Sequence, residues 1–134
     1  MADVTIIVDD IAVRQLLTNM PSRINTAMRR ALTDASALLL RDAKVYPPTR
    51  PNQEYKRTRT LGRSWAKKIE GEGLEMTALV FSNGNMAPYN RYVQDREMQA
   101  WMHVDRWDTI QTIAERDEPA IQQMFRNRIE AALR

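Results

Sequence analysis

The chain has 134 residues, 43% of them hydrophobic, enough for one domain with a core of its own. It has no cysteine, which excludes a disulfide framework, a thiolate nucleophile and a cysteine-ligated zinc. The net charge of +3 is unevenly spread: positions 49–68 hold seven basic residues against one acid, Glu54, while the remainder is acidic on balance.

No stretch approaches the roughly 18 consecutive apolar residues of a membrane span. The first ten positions carry acids and lack the basic start of a secretory leader, so a soluble protein made without export is expected. Val4, Ile6 and Val8 alternate with Thr5 and Ile7 in a β-branched run that reads as a strand. Ile11, Val13, Leu16 and Leu17 suggest a short helix, which Pro21 separates from a long one at 22–45. In the long helix Ile24, Ala27, Met28, Ala31, Leu32, Ala35, Leu38 and Leu39 recur at steps of three and four along one stripe. Its charged residues mostly fall off the stripe. Ser22 is placed to cap the start, and Tyr46-Pro47-Pro48 stops it, because both prolines lack an amide proton and restrict the residue before them.

An extended basic loop follows at 48–61, with Tyr55 its only large ring and no apolar period, so its order must come from contacts outside the domain core. Trp65 and Ile69 share a face of the next strand, 64–70. Gly71-Glu72-Gly73 reads as a turn, and 74–82 as the return strand. Leu74, Met76, Ala78 and Val80 face one way and Thr77, Leu79 and Phe81 the other, so both faces should be covered, the second by another element or subunit. Residues 87–93 suggest two helical turns with Pro88 near the start. From 94 to 107 the pattern does not separate loop from strand, although Met98, Trp101, Met102 and Trp107 supply much apolar surface. A final helix begins after Asp108, with a break expected near 117–118 ahead of Pro119, and resumes along Ile121, Met124, Phe125, Ile129, Ala132 and Leu133. Only Arg128 interrupts that stripe. The expected architecture is a single α+β domain over 1–134. In it a small antiparallel sheet, the hairpin plus the N-terminal strand, packs against a long N-terminal helix and a C-terminal helix, with Trp65, Val80, Leu32 and Phe125 meeting in the core.

The chemistry-bearing residues do not assemble into an active site. His103 is the only histidine and has apolar neighbours, which favours a structural role. The carboxylates at Asp9-Asp10, Asp117-Glu118 and Glu70-Glu72-Glu75 lack the spacing of a metal loop and read as caps and solvated turns. Gly71 and Gly73 match no phosphate-cradling pattern. No catalytic, metal or cofactor residue is assigned. Two surfaces stand out instead. Arg50, Tyr55, Lys56, Arg57, Arg59 and Arg63 form a candidate assembly or DNA-proximal loop, and Leu79, Phe81, Met98, Trp101, Met102 and Trp107 a candidate subunit interface. The alternative reading is a nucleic-acid-binding module that uses the 49–68 segment for backbone attraction and base stacking.

Four landmarks occur in a particular order: Tyr46-Pro47-Pro48 after a long helix, Arg57-Thr58-Arg59-Thr60-Leu61-Gly62-Arg63-Ser64, Ala87-Pro88-Tyr89-Asn90-Arg91-Tyr92-Val93-Gln94, and Gln99-Ala100-Trp101-Met102-His103 through Arg106-Trp107. In that order and spacing, over about residues 22–134, the sequence resembles the small tail-component proteins of long-tailed bacteriophages and prophages, also called tail-completion or neck proteins. Arg59 stands where that family usually has glycine, and Asn90 where a small residue is common. The resemblance implies a virion structural protein at the head–tail junction, made in the host cytoplasm, without enzymatic activity or cofactor. It further implies an oligomeric ring of its own copies that joins head or connector to tail. Its other partners would be neighbouring neck, connector or tail-tube proteins, with packaged DNA close by and no membrane.

Overall fold

The long helix, α1, spans Pro21–Ala43 and buries a continuous stripe of Ile24, Met28, Ala31, Leu32, Ala35, Leu39 and Ala43. The computed structural model describes residues 3–7, 21–51, 59–72 and 75–134. The helix expected near 11–17, Val8 and Leu74 lie outside the described residues. Pro21 occupies the first helical position, where its missing amide costs nothing. The helix closes two residues earlier than the expected Val45. The Lys44 and Val45 amides donate back three residues, to Arg41 and Asp42 at 3.3 Å each, a tighter closing turn that lets the chain turn into Tyr46 and the prolines.

Strand β1 (Asp3–Ile7) and strands β2 (Trp65–Glu70) and β3 (Thr77–Ser82) form an antiparallel sheet in the order β1-β3-β2. Val4 pairs with Val80 and Ile6 with Ala78, while Trp65 lies opposite Ser82 and Ile69 opposite Ala78. These residues form the face towards the helices. The return strand starts at Thr77, not at 74, because the turn is longer than three residues. Gly71 has φ +79°, the Glu75 amide bonds Glu72 O at 3.1 Å, and a Cβ at Gly71 would strike the Glu75 carbonyl. On the opposite face Leu79 and Phe81 are half-buried, with Thr5 and Lys68 beside Leu79 and Asp3 and Ala66 beside Phe81.

After the sheet come a 3-10 turn at Pro88–Asn90, a short helix α3 at Arg91–Gln94, a 3-10 turn at Trp101–His103 and the long helix α4 at Ile110–Leu133; the five-residue α2 (Thr60–Ser64) precedes β2. The undetermined stretch 94–107 therefore holds turns and no strand among its residues. Thr109 caps α4, its hydroxyl accepting from the Thr112 amide at 3.2 Å. The break expected near Pro119 does not occur, and α4 runs through it. An interior proline costs about 3 kcal/mol, but here it points to solvent and the helix is fastened on both sides of it. Ile110 and Ile113 hold the part before it, and Ile121, Phe125 and Ile129 the part after it.

Among the described residues the core between the sheet and the two long helices is two clusters, where one was expected. Trp65 and Val80 pack with Leu39, Ala43, Ile110 and Ile113, whereas Leu32 packs with Ile24, Met28, Met76 and Ala78. Helix α1 rises about 1.5 Å per residue, so its stripe is too long for one cluster to cover. Phe125 borders the second cluster and is only partly buried. Leu32→Ala should accordingly cost about 2–5 kcal/mol, and Phe125→Ala should fall at or below the low end of the roughly 3–5 kcal/mol of a fully buried phenylalanine. Thermal unfolding of the two variants checks the order.

Helices α1 and α4 run antiparallel. Arg23 donates to Arg134 O at 3.0 Å at one end, and Arg128 donates twice to a single oxygen of Asp34, at 3.0 and 2.9 Å, further along. Near the other end Asp117 points at Asp42 and is 7% exposed. Burial, then a proton shared with Asp42 and the charge of Asp42, lift Asp117 to about 6 against the pull of Arg116 and Arg41. For Asp42, burial acts upwards, but the Asp117 proton and the Arg41 and Arg116 charges more than offset it and leave it below the usual range. A raised folded-state value means that the stabilisation from protonated Asp117 is complete below pH 3.8 and is lost as pH rises through about 6. Asp117→Asn, which keeps a donor towards Asp42 at every pH, should abolish a loss on the order of 2 kcal/mol between pH 4 and 7. Denaturant unfolding across that range measures it.

Candidate functional site

Beyond the C-terminal end of α1 the chain builds a corner from four separate segments. Leu61, Ala87 and Val93 are buried together, with Tyr46 and Trp107 packed against them. The Tyr46 and Trp107 rings lie 5.2 Å apart, and the Tyr46 hydroxyl accepts the Gly62 amide at 2.8 Å. Gly62 lets the ring come close, since a Cβ there would stand 3.2 Å from Tyr46 Cε1 and press the ring back by a few tenths of an ångström. Arg59 ends the preceding loop with φ 66°, a left-handed conformation that costs an arginine energy, and its guanidinium stacks over Tyr46 at 4.9 Å. A polar chain closes the corner against the sheet: Ser64 Oγ donates to Leu61 O at 2.6 Å and lies 3.0 Å from Ser82 Oγ, which accepts from buried Asn90 Nδ2 at 2.9 Å.

The 94–107 segment has no apolar periodicity because hydrogen bonds hold most of it. Buried Gln94 accepts the Trp65 indole N–H at 2.8 Å and donates to Ala43 O at 3.0 Å. The amide of Gln99 spreads its protons over the carbonyls of Val93, His103 and Trp107, at 2.8, 3.2 and 3.0 Å. Gln111 donates to Asp95 and accepts from the Arg96 amide, and Arg96 grips both oxygens of Glu115 at 2.8 and 2.9 Å. That grip holds the Glu115 carboxyl below its usual range. Glutamines leave no hydrophobic period to read.

The two surfaces singled out in the sequence adjoin one another. Arg50 donates to Met102 O at 3.4 Å and Arg106 to Pro48 O at 3.3 Å, which ties the start of the basic loop to the Met/Trp-rich segment. His103 sits between them, its ring edge-on to Trp107; burial first, then the Arg106 and Arg50 charges, push its pKa down and favour the neutral imidazole. Arg59 and Arg63 are exposed nearby, whereas Tyr55, Lys56 and Arg57 lie outside the described residues. The apolar candidates separate. Trp107 turns inward to Tyr46, but Trp101 is 85% exposed, with Met98 and Met102 at 43% and 46%. Val104, Met86, Tyr89 and Tyr92 extend the exposed apolar set. Leu79 and Phe81 lie apart from this ridge, on the sheet. Sequence reasoning missed the glutamines that brace the ridge, for which spacing carries no signal.

Among the described residues no three His, Asp or Glu side chains converge as a cation cage, and no helix is long and apolar enough to cross a membrane. No protein-family model, curated protein or solved structure matches the chain. The bracing by Gln99 is testable through Gln99→Leu, which keeps the volume but strands three carbonyls. Amide exchange over 99–107 should accelerate strongly, with a global stability loss of about 1–3 kcal/mol.

Proposed function

We propose that the protein is a structural subunit of a phage particle, acting at the head–tail junction as a ring of its own copies that joins head or connector to tail. The observation that carries this reading is the corner: a hydrogen-bonded frame holds Trp101 at 85% exposure beside Met98 and Met102. A side chain of that size on a braced loop is a preformed anchor for another chain, since its burial on assembly costs little ordering. Met98, Trp101 and Met102 are exposed within five residues of one another, and exposed apolar surface gathered in one place marks an interaction site.

The resemblance stated from the sequence is supported by where its landmarks fall. Tyr46 meets Gly62 and Trp107, and the Ala87 to Val93 stretch packs on Leu61, so segments distant in sequence build one unit. Arg59 has a left-handed backbone at the position where the resembled family usually has glycine, and Asn90 is buried where a small residue is common. The basic residues at the same corner give the ring a surface for acidic neighbours.

Two measurements test the reading together. Light scattering should show the purified protein as an oligomer that Trp101→Glu converts to monomer without lowering the melting temperature. In the producing phage, loss of the gene should leave filled heads and separate tails under the electron microscope. Complete virions without the protein would overturn the role, and a wild-type monomer at high concentration would overturn the self-assembled ring.

A further inference from the structure

The solvent face of α1 is a separate feature that the corner does not absorb. Arg23, Arg29, Arg30, Arg41 and Lys44 are all exposed on it, from its first turn to just past its end. Between them lie only small or hydroxyl side chains at the outermost positions: Ser22, Thr26, Thr33 and Ala37. Lys67, on the edge strand β2, reaches over to Thr33 O at 3.5 Å and widens the stripe. The nearby carboxylates are accounted for. Asp34 is held by Arg128, Asp42 by Arg41 and Asp117, and Glu72 shares a groove with Arg29 and Arg30. Among the described residues seven cations thus face four carboxyl groups, Asp117 included.

The geometry points to a binding face for the phosphodiester backbone of a nucleic-acid duplex along α1, distinct from the 49–68 segment and independent of the ring reading. Three features favour a polyphosphate over an acidic protein. First, among the described residues from Arg23 to Lys44 the face has no exposed aromatic or large aliphatic anchor, the groups that carry protein interfaces, and exposed Val45 lies only beyond its end, whereas arginine, lysine and hydroxyl side chains are the usual phosphate ligands. Second, from Arg23 to Lys44 the stripe is about 32 Å long, close to the roughly 34 Å of one duplex turn. Third, two grooves flank Thr26 and Arg30: one of about 390 Å³ with Arg23 and Arg128, able to admit a phosphate between cations, and one of about 300 Å³ that Arg29 shares with Glu72. Arg29 is aimed by a bond to Gly71 O at 3.3 Å, and Lys67 by its bond to Thr33 O; a neutral carbonyl orients each cation without cancelling its charge.

Fluorescence anisotropy of a labelled 30-base-pair duplex, measured from low to physiological salt, tests the face. Wild-type protein should bind at low salt and release steeply. Arg29→Gln/Arg30→Gln/Lys44→Gln should make the log–log salt slope shallower by roughly 2.7, at about 0.9 per phosphate contact, while Arg126→Gln, an exposed arginine of α4 outside the stripe, leaves it unchanged. If the triple variant melts early, Arg30→Gln alone should shift the slope by about 0.9. No wild-type binding at 50 mM salt, an unchanged slope in the α1 variants, or equal competition by polyglutamate of the same charge would each overturn the assignment, the last in favour of an acidic protein partner.

Discussion

The end of α1 is buried, and a buried helix end must find partners for its last carbonyls. Ala43 is 1% exposed, out of reach of water, and its carbonyl is met by the side chain of Gln94, fifty-one residues on. The same amide accepts the indole proton of Trp65, so one side chain fixes the end of the long helix, the first residue of β2 and the short helix α3. Removing it would strand a buried donor and a buried acceptor at once. Because Trp65 also belongs to the cluster with Val80 and Ile113, the position of the sheet under the helices depends on this polar link as much as on apolar packing. The corner that carries the exposed ridge is built outward from it.

The contact between α1 and α4 shows the same mixture. Its apolar clusters supply most of the hydrophobic gain, while Arg128 with Asp34 and Asp117 with Asp42 interrupt the stripe at positions where apolar residues would pack. A proton shared between two carboxyls is weak glue at neutral pH. It does discriminate between registers, since sliding α4 by one turn would bury Asp117 or Arg128 against aliphatic side chains with no partner.

Elements whose apolar residues keep one period were legible in the sequence: α1, the hairpin strands, β1 and the two halves of α4. Their assembly into an α+β domain followed. Features set by single polar side chains or by backbone exceptions were not. Pro119 reads locally as a stop, and only the packing on both sides of it, which no local window contains, overrides that. Asp117 falls on the stripe of α4, yet its carboxyl partner is on another helix. Gln94 and Gln99 look like surface residues by composition. The adjacency of Arg50 with Met102 and of Arg106 with Pro48 comes from the turn at Tyr46-Pro47-Pro48, whose direction spacing cannot supply.

The chain sorts its surface by physical type. Around Trp101 the apolar area is concentrated and braced, and binding there would be short-ranged, dependent on shape and nearly indifferent to salt. Along α1 the charge is spread over about 32 Å with no anchor, which gives attraction that reaches roughly a Debye length, tolerates changes of register and fades as salt rises. A protein that had to hold one neighbour in a fixed orientation while a long, uniformly charged polymer lay alongside would need both kinds of surface, and would need them apart. A strong anchor beside the polymer would pin it, and charge spread through the anchor would loosen the fixed contact. Here the ridge lies on the 98–104 turn beyond the end of α1, and the charged stripe runs back along the helix away from it.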